Sequence, residues 1–187
     1  MLHSTYRELV PVRLPYRGRR HYMHGFDLAD PVMLAGYEDY EAPVRALCAA
    51  AGATTGTAYM TVDERLVAAG SAQRKPGPHV DGCFTGLSWE HRPSWNHYCN
   101  SVPIPRMAVI VAASVAGCRV WKGEFDGAPG PQGCLAHLEL DEGLLLPANV
   151  GFLLSPDCVH QSEIMSVDTH RTFLRIALPI STERDSG

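Results

Sequence analysis

Beyond residue 55 the apolar residues come in short runs punctuated by Gly and Pro, and this restricts the fold more than any motif does. Seventeen Gly and 14 Pro among 187 residues are too many for a bundle of long helices. They leave strands of a few residues joined by turns. Residues 58–67 (AYMTVDERLV) alternate as a strand with one buried face should. Residues 107–114 (MAVIVAAS) form a continuous apolar run of strand length. The stretches 118–125, 134–140, 150–154, 159–163 and 171–180 extend the series, with a plain loop at 126–133 (DGAPGPQG). About eight short strands at close spacing predict a mainly β domain, folded as a double-sheet barrel of the jelly-roll kind. One helix is expected before them, at 38–51 (EDYEAPVRALCAAA). Acidic residues open it, Pro43 fits its first turn and Gly52 can close it.

The length suits a single domain over 1–187, able to bury a core without covalent staples. Residues 1–55 read as a helical or irregular flank, 56–182 as the core, and 83–106 as a long loop over the site, rich in Trp, His and Pro. The net charge of −4 gives no reason to expect nucleic acid as a partner. No apolar run approaches the ~20 residues of a membrane span. The start lacks the basic-then-apolar order of a signal peptide. Six scattered cysteines without a CxxC pair fit reduced thiols in the cytoplasm. Arg13, Arg17, Arg19, Arg20, His21 and His24 read as a solvated basic segment, with contact to an anionic partner as the alternative.

The chemistry centres on His79-Val80-Asp81. In an extended chain residues i and i+2 point the same way, so an imidazole and a carboxylate face one point. These are two thirds of a 2-His-1-carboxylate triad, which holds Fe(II) by one face and leaves positions open for a co-substrate and O2. An HxD is common by chance in a chain with nine His, so the rest of the set matters. His160 opens a strand after Pro156-Asp157. Arg171 follows eleven residues later at the start of the last strand, where a guanidinium can clamp a carboxylate bidentately.

In this order (HxD, distal His, then Arg on the next strand) the sequence resembles the iron(II)/2-oxoglutarate-dependent dioxygenase superfamily. The resemblance covers about two thirds of the chain, roughly 58–181, and implies the double-stranded β-helix, a cupin-like barrel. It implies that His79, Asp81 and His160 bind Fe(II) and that Arg171 pairs with the distal carboxylate of 2-oxoglutarate. Arg175 matches a position that meets an anionic substrate in the taurine-type members. It shares a strand face with Arg171 and Phe173, so it is the alternative co-substrate clamp. The frequent Arg-x-Ser pair is absent, Arg171 being followed by Thr172 and Phe173. The implied reaction decarboxylates 2-oxoglutarate to succinate and CO2, consumes O2 and oxidises a C–H bond of a small-molecule or peptide substrate. A carboxylate at residue 81, where related halogenases have a small residue, favours hydroxylation, desaturation or ring formation.

Two other classes compete. A cupin-like metalloenzyme without 2-oxoglutarate would show HxH and a nearby Glu. A non-catalytic jelly-roll binding module would carry His79 and Asp81 on its surface. Cys83, His91, His97 and Cys99 lack the paired spacing of a structural zinc site. Trp89, Trp95 and Tyr98 either line a substrate pocket or anchor their loop. Tyr59, on the face of the first core strand shared with Thr61, is a candidate polar contact to the co-substrate, with core packing as the plainer role. Trp121 reads as core. Gln73, Arg74 and Lys75, just before the metal motif, read as a solvated loop, with contact to a polar substrate as the alternative. His170 points to the strand face opposite Arg171. His3, His21, His24 and His137 read as surface or packing residues.

Overall fold

The computed structural model describes residues 1–81, 107–127, 129 and 133–179. Its elements run β1 (Leu2–Ser4), β2 (Tyr6–Pro11), β3 (Arg20–Asp27), a 3-10 turn (Glu38–Tyr40), α1 (Glu41–Ala51), β4 (Thr57–Val67), β5 (Met107–Ala113), β6 (Cys118–Trp121), β7 (Gly123–Phe125), β8 (Leu144–Leu145), β9 (Val150–Leu154), β10 (Val159–Ser162) and β11 (Thr169–Pro179). Six strands form one antiparallel sheet in the order β2-β9-β5-β11-β4-β3. Three more form a small sheet, β10-β6-β8, and β1 pairs with β7. The fold is therefore mainly β with antiparallel sheets and one α-helix. The three sheets do not join into a closed barrel among the described residues.

The expected helix starts as the 3-10 turn and continues as α1, with Pro43 in its first turn. It ends at Gly52, whose φ of 77° is left-handed. There the N–H of Gly52 bonds the carbonyl of Ala49 and that of Ala53 bonds Cys48, the paired bonds that cap a helix C-terminus. α1 lays Val44, Leu47 and Cys48 on one face of the large sheet, against Met60 and Val62 of β4, Ile110 and Ala112 of β5, and Leu174, Ile176 and Leu178 of β11. The alternate residues of the same strands (Val109, Val111, Phe173, Ala177) point the other way, toward Cys118 and Val120 of the small sheet. Both faces of the large sheet are thus covered. Each large apolar side chain so buried contributes about 1.5–3 kcal/mol.

The flank expected over 1–55 is corrected by the structure. It supplies three strands besides the helix, and β2 and β3 are the two edges of the large sheet. The basic segment is not simply solvated. Arg19 bonds both oxygens of Asp39 at 2.9 Å and Glu64 at 2.8 Å. Tyr40 donates its hydroxyl to Glu64 at 2.7 Å. These bonds tie the 3-10 turn and the chain before β3 to β4. The strand expected at 134–140 is a single bridge at Cys134, followed by a turn. The run 118–125 is divided into β6 and β7, which pair with different partners. The loop 83–106, with Cys83, Trp89, His91, Trp95, His97, Tyr98 and Cys99, lies outside the described residues.

Candidate metal centre

Residues 79 and 160 are held together by the backbone before their side chains act. His160 lies on β10, and the peptides of His79 and His160 exchange both hydrogen bonds, each at 2.9 Å. His79 also bridges Cys134, so residue 79 extends the small sheet by one position. The Gly77 turn before it has a φ of 77° and brings the chain into this register. The two imidazole rings lie with centroids 4.4 Å apart. His79 Nδ1–H donates to the Gly77 carbonyl at 2.8 Å, and His160 Nδ1–H donates to the Cys158 carbonyl at 2.9 Å. Each bond fixes the tautomer and leaves Nε2 as the lone-pair nitrogen, the arrangement that metal-binding imidazoles adopt. Asp81 Oδ2 stands 3.8 Å from His160 Nε2. One ligand atom from each of His79, Asp81 and His160 lies within 4.8 Å of the others.

The electrostatics favours a cation there. Burial first, and then the neighbouring His160, push His79 down to about 4, so at neutral pH it is an uncharged imidazole able to donate to a metal. Burial works to raise the Asp81 carboxyl. Arg175 foremost, then His160, His79 and Arg74, overcome it and hold the group well below the usual carboxylate range. Asp81 is therefore a carboxylate at any physiological pH. Arg175 Nε lies 3.0 Å from Asp81 Oδ2 and is the guanidinium in contact with the cluster.

Arg171 sits four residues away on the same face of β11, 1 % exposed. Its Nε donates to the Val115 carbonyl at 2.9 Å and its Nη1 to Gln73 Oε1. Its Nη2 is buried with no partner among the described residues. Burial, its largest influence, lowers its pKa. Gln73, read from sequence as part of a solvated loop, is 1 % exposed and positions this guanidinium. Its amide also donates to the Asp63 carbonyl at 2.6 Å. Only its place just before the metal motif hinted at this. Tyr59 is half-buried and packs against the apolar cluster between the sheets. Trp121 is core, its Nε1–H donating to the Asp141 carbonyl at 2.9 Å. His170 faces away from the cluster and meets the Tyr16 hydroxyl at 2.8 Å.

The inner face of β4 carries groups that sequence reading missed. Asp63 is completely buried, with Arg20, Arg65 and Arg74 around it. Asp63 and Arg65 continue the face of β4 that carries Tyr59 and Thr61, and the sequence reading assigned no role to this polar end of the stripe. In the structure it faces the interior between the sheets. Comparison of the chain with protein-family models, with curated proteins and with solved structures finds no match.

Proposed function

We propose that the protein is a non-haem Fe(II)/2-oxoglutarate-dependent oxygenase acting on a small-molecule or peptide substrate. The observation that carries this reading is the convergence of His79, Asp81 and His160, from two distant parts of the chain, into one ligand set. A protein that used His79 and Asp81 only as surface residues would have no need of it, since His79 is buried. The cupin-like alternative lacks its HxH.

The residues fit the absent groups. Two imidazoles with Nδ1 already engaged and one ionised carboxylate are a facial donor set for a divalent metal. The unpartnered Arg171 Nη2 is a buried donor waiting for an acceptor, which suits the distal carboxylate of 2-oxoglutarate. Arg175, in contact with Asp81, is the alternative clamp. When bound, iron and 2-oxoglutarate supply the activation of O2, with succinate and CO2 released as a substrate C–H bond is oxidised. The chain's own part is geometric. β10 and residue 79 fix two ligands rigidly through their paired peptides, Arg175 keeps Asp81 ionised and oriented, and Gln73 and the Val115 carbonyl hold Arg171 in place. In this reading the large and small sheets are the two walls of a double-stranded β-helix. Cys48, Cys118, Cys134 and Cys158 are free thiols, in keeping with a cytoplasmic setting. No helix among the described residues is long and apolar enough to cross a membrane.

Anaerobic titration with Fe(II) and then 2-oxoglutarate tests the proposal. A weak visible charge-transfer band should develop with both present, and Asp81→Ala should abolish it together with succinate formation. Full turnover by Asp81→Ala, or no band in the native protein, overturns it.

A further inference from the structure

The two faces of β4 treat charge in opposite ways. On the helix side, Glu64 and Asp39 are matched by Arg17 and Arg19. Glu64 accepts from Tyr40 and from the backbone and side chain of Arg19, so its charge is fully answered. On the inner face Asp63 is surrounded by three guanidiniums, with Arg20 Nε at 3.2 Å, Arg65 Nη2 at 3.4 Å and Arg74 Nη1 at 3.7 Å. Yet among the described residues neither Asp63 oxygen makes a hydrogen bond, and Arg65 Nε is buried without a partner. The donors converge on the acid without being used up by it. Arg65 also stands directly opposite Arg171 across the β4–β11 ladder. Like charges so placed repel unless something negative lies between or beside them. Counting Arg175 and Asp81, this face gathers five guanidiniums against two carboxylates among the described residues. A metal would add positive charge, and 2-oxoglutarate supplies two negative charges against it.

The cluster lies within reach of the metal ligands. Arg175, which touches Asp81, pairs in register with Thr61, and Asp63 is the next inward position on β4, roughly 7 Å along the strand. Phe173 pairs with Asp63, and the Arg74 guanidinium lies 5.7 Å from its ring centre. Arg20, Arg65 and Arg74 keep 50 %, 34 % and 34 % of their side-chain surface, so a ligand can reach them.

We infer that Arg20, Arg65 and Arg74, gathered around Asp63, form an anion subsite that holds a carboxylate or phosphate group of the primary substrate. The word substrate rests on the oxygenase reading, whereas the anion site does not. The test uses the metal-free full chain, titrated calorimetrically with inorganic phosphate and with acetate against chloride at matched ionic strength. Saturable binding of phosphate, acetate or both is expected, with chloride inert. Arg65→Gln and Arg74→Gln should each weaken it at least tenfold, Arg74→Lys should recover part of it, and Arg45→Gln on the outer side of α1 should leave it unchanged. Arg74 lies outside the strands, so its variants decide the matter if Arg65→Gln does not fold. Phosphate and acetate binding no tighter than chloride, or binding that is indifferent to Arg74→Gln, overturns the inference. If the anion site behaves as stated while the iron titration fails, the oxygenase reading falls alone and the subsite stands as a ligand site.

Discussion

Arg175 holds the Asp81 carboxylate that a metal would claim, and replacing it by Gln separates the two roles. The ion pair is 3.0 Å long with side chains 15 % and 32 % exposed. Exposed pairs are worth 0–1 kcal/mol, and breaking a fully buried one costs 3–5 kcal/mol. For this partly buried pair about 2 kcal/mol is the reasonable loss in the metal-free protein, where Asp81 is left with two imidazoles and the weaker pull of Arg74. For a chain of this size that is a fall of roughly 4–8 °C in thermal midpoint. A bound divalent cation would compensate Asp81 in the variant and would no longer be repelled by the guanidinium. If it recovers the whole loss, affinity rises by about 30-fold. Anaerobic calorimetry with Mn(II), which avoids oxidation, reads the affinity, and melting with and without metal reads the stability. The variant should melt lower without metal yet gain more from it. An affinity equal to or below that of the native protein would show that Arg175 does not compete for Asp81 and would refute the electrostatic account of the cluster.

Arg171→Met should raise the 2-oxoglutarate concentration needed for half-maximal succinate formation by tenfold or more, with Fe(II) binding little changed. An unaltered requirement moves the clamp to Arg175. At Gly151 of β9 a Cβ would come within 2.0 Å of Leu47 Cδ2 in the core, so Gly151→Ala should cost about 1–3 kcal/mol by denaturant unfolding. Combined with Leu47→Ala it should cost less than the two single changes together, and strict additivity would contradict the contact. Acid should weaken the fold through Glu64. Burial acts to raise its pKa, but the hydrogen bonds from Arg19, Arg17 and Tyr40 win and hold it below the ordinary 4.5. The group's contribution is therefore present above about pH 4.5 and lost as pH falls through its lower folded value. Glu64→Gln should flatten that acid limb of the melting temperature, and an equally steep limb would assign it to other groups.

What could be read from the sequence followed from local rules. α1 carries its own start and stop signals, and β4, β5, β9 and β11 are apolar enough to declare themselves, whereas β10 (VHQS) is marked by the Pro156-Asp157 turn before it. The His79, Asp81 and His160 cluster was legible because two of its members share a tripeptide and the third opens a strand. β2 and β3 were not, since YRELVP contains a proline and RHYMHGFD is mostly polar, and both become strands by pairing with β9 and β4. The stretch 134–140 has strand-like apolar content, but only Cys134 finds a backbone partner. Gln73 lies in a loop, where no periodicity assigns burial, and Asp63 and Arg65 on β4 were hidden for a different reason. Period-two alternation tells which residues share a face but not whether the polar face meets water or a second sheet.

The placement of β2 and β3 bears on how the protein comes into being. Tyr6 waits for Leu154 and Arg20 for Asp63, so one border of the large sheet is closed by chain made long after the strand it must receive. In a nascent polypeptide of this design β2 stays unmatched until β9 has been synthesised. Such long-range pairing slows folding and prolongs the interval in which a bare strand can join a neighbouring molecule. Loss of β2 and β3 together would make that hazard permanent, leaving β9 and β4 as the bare borders of the sheet.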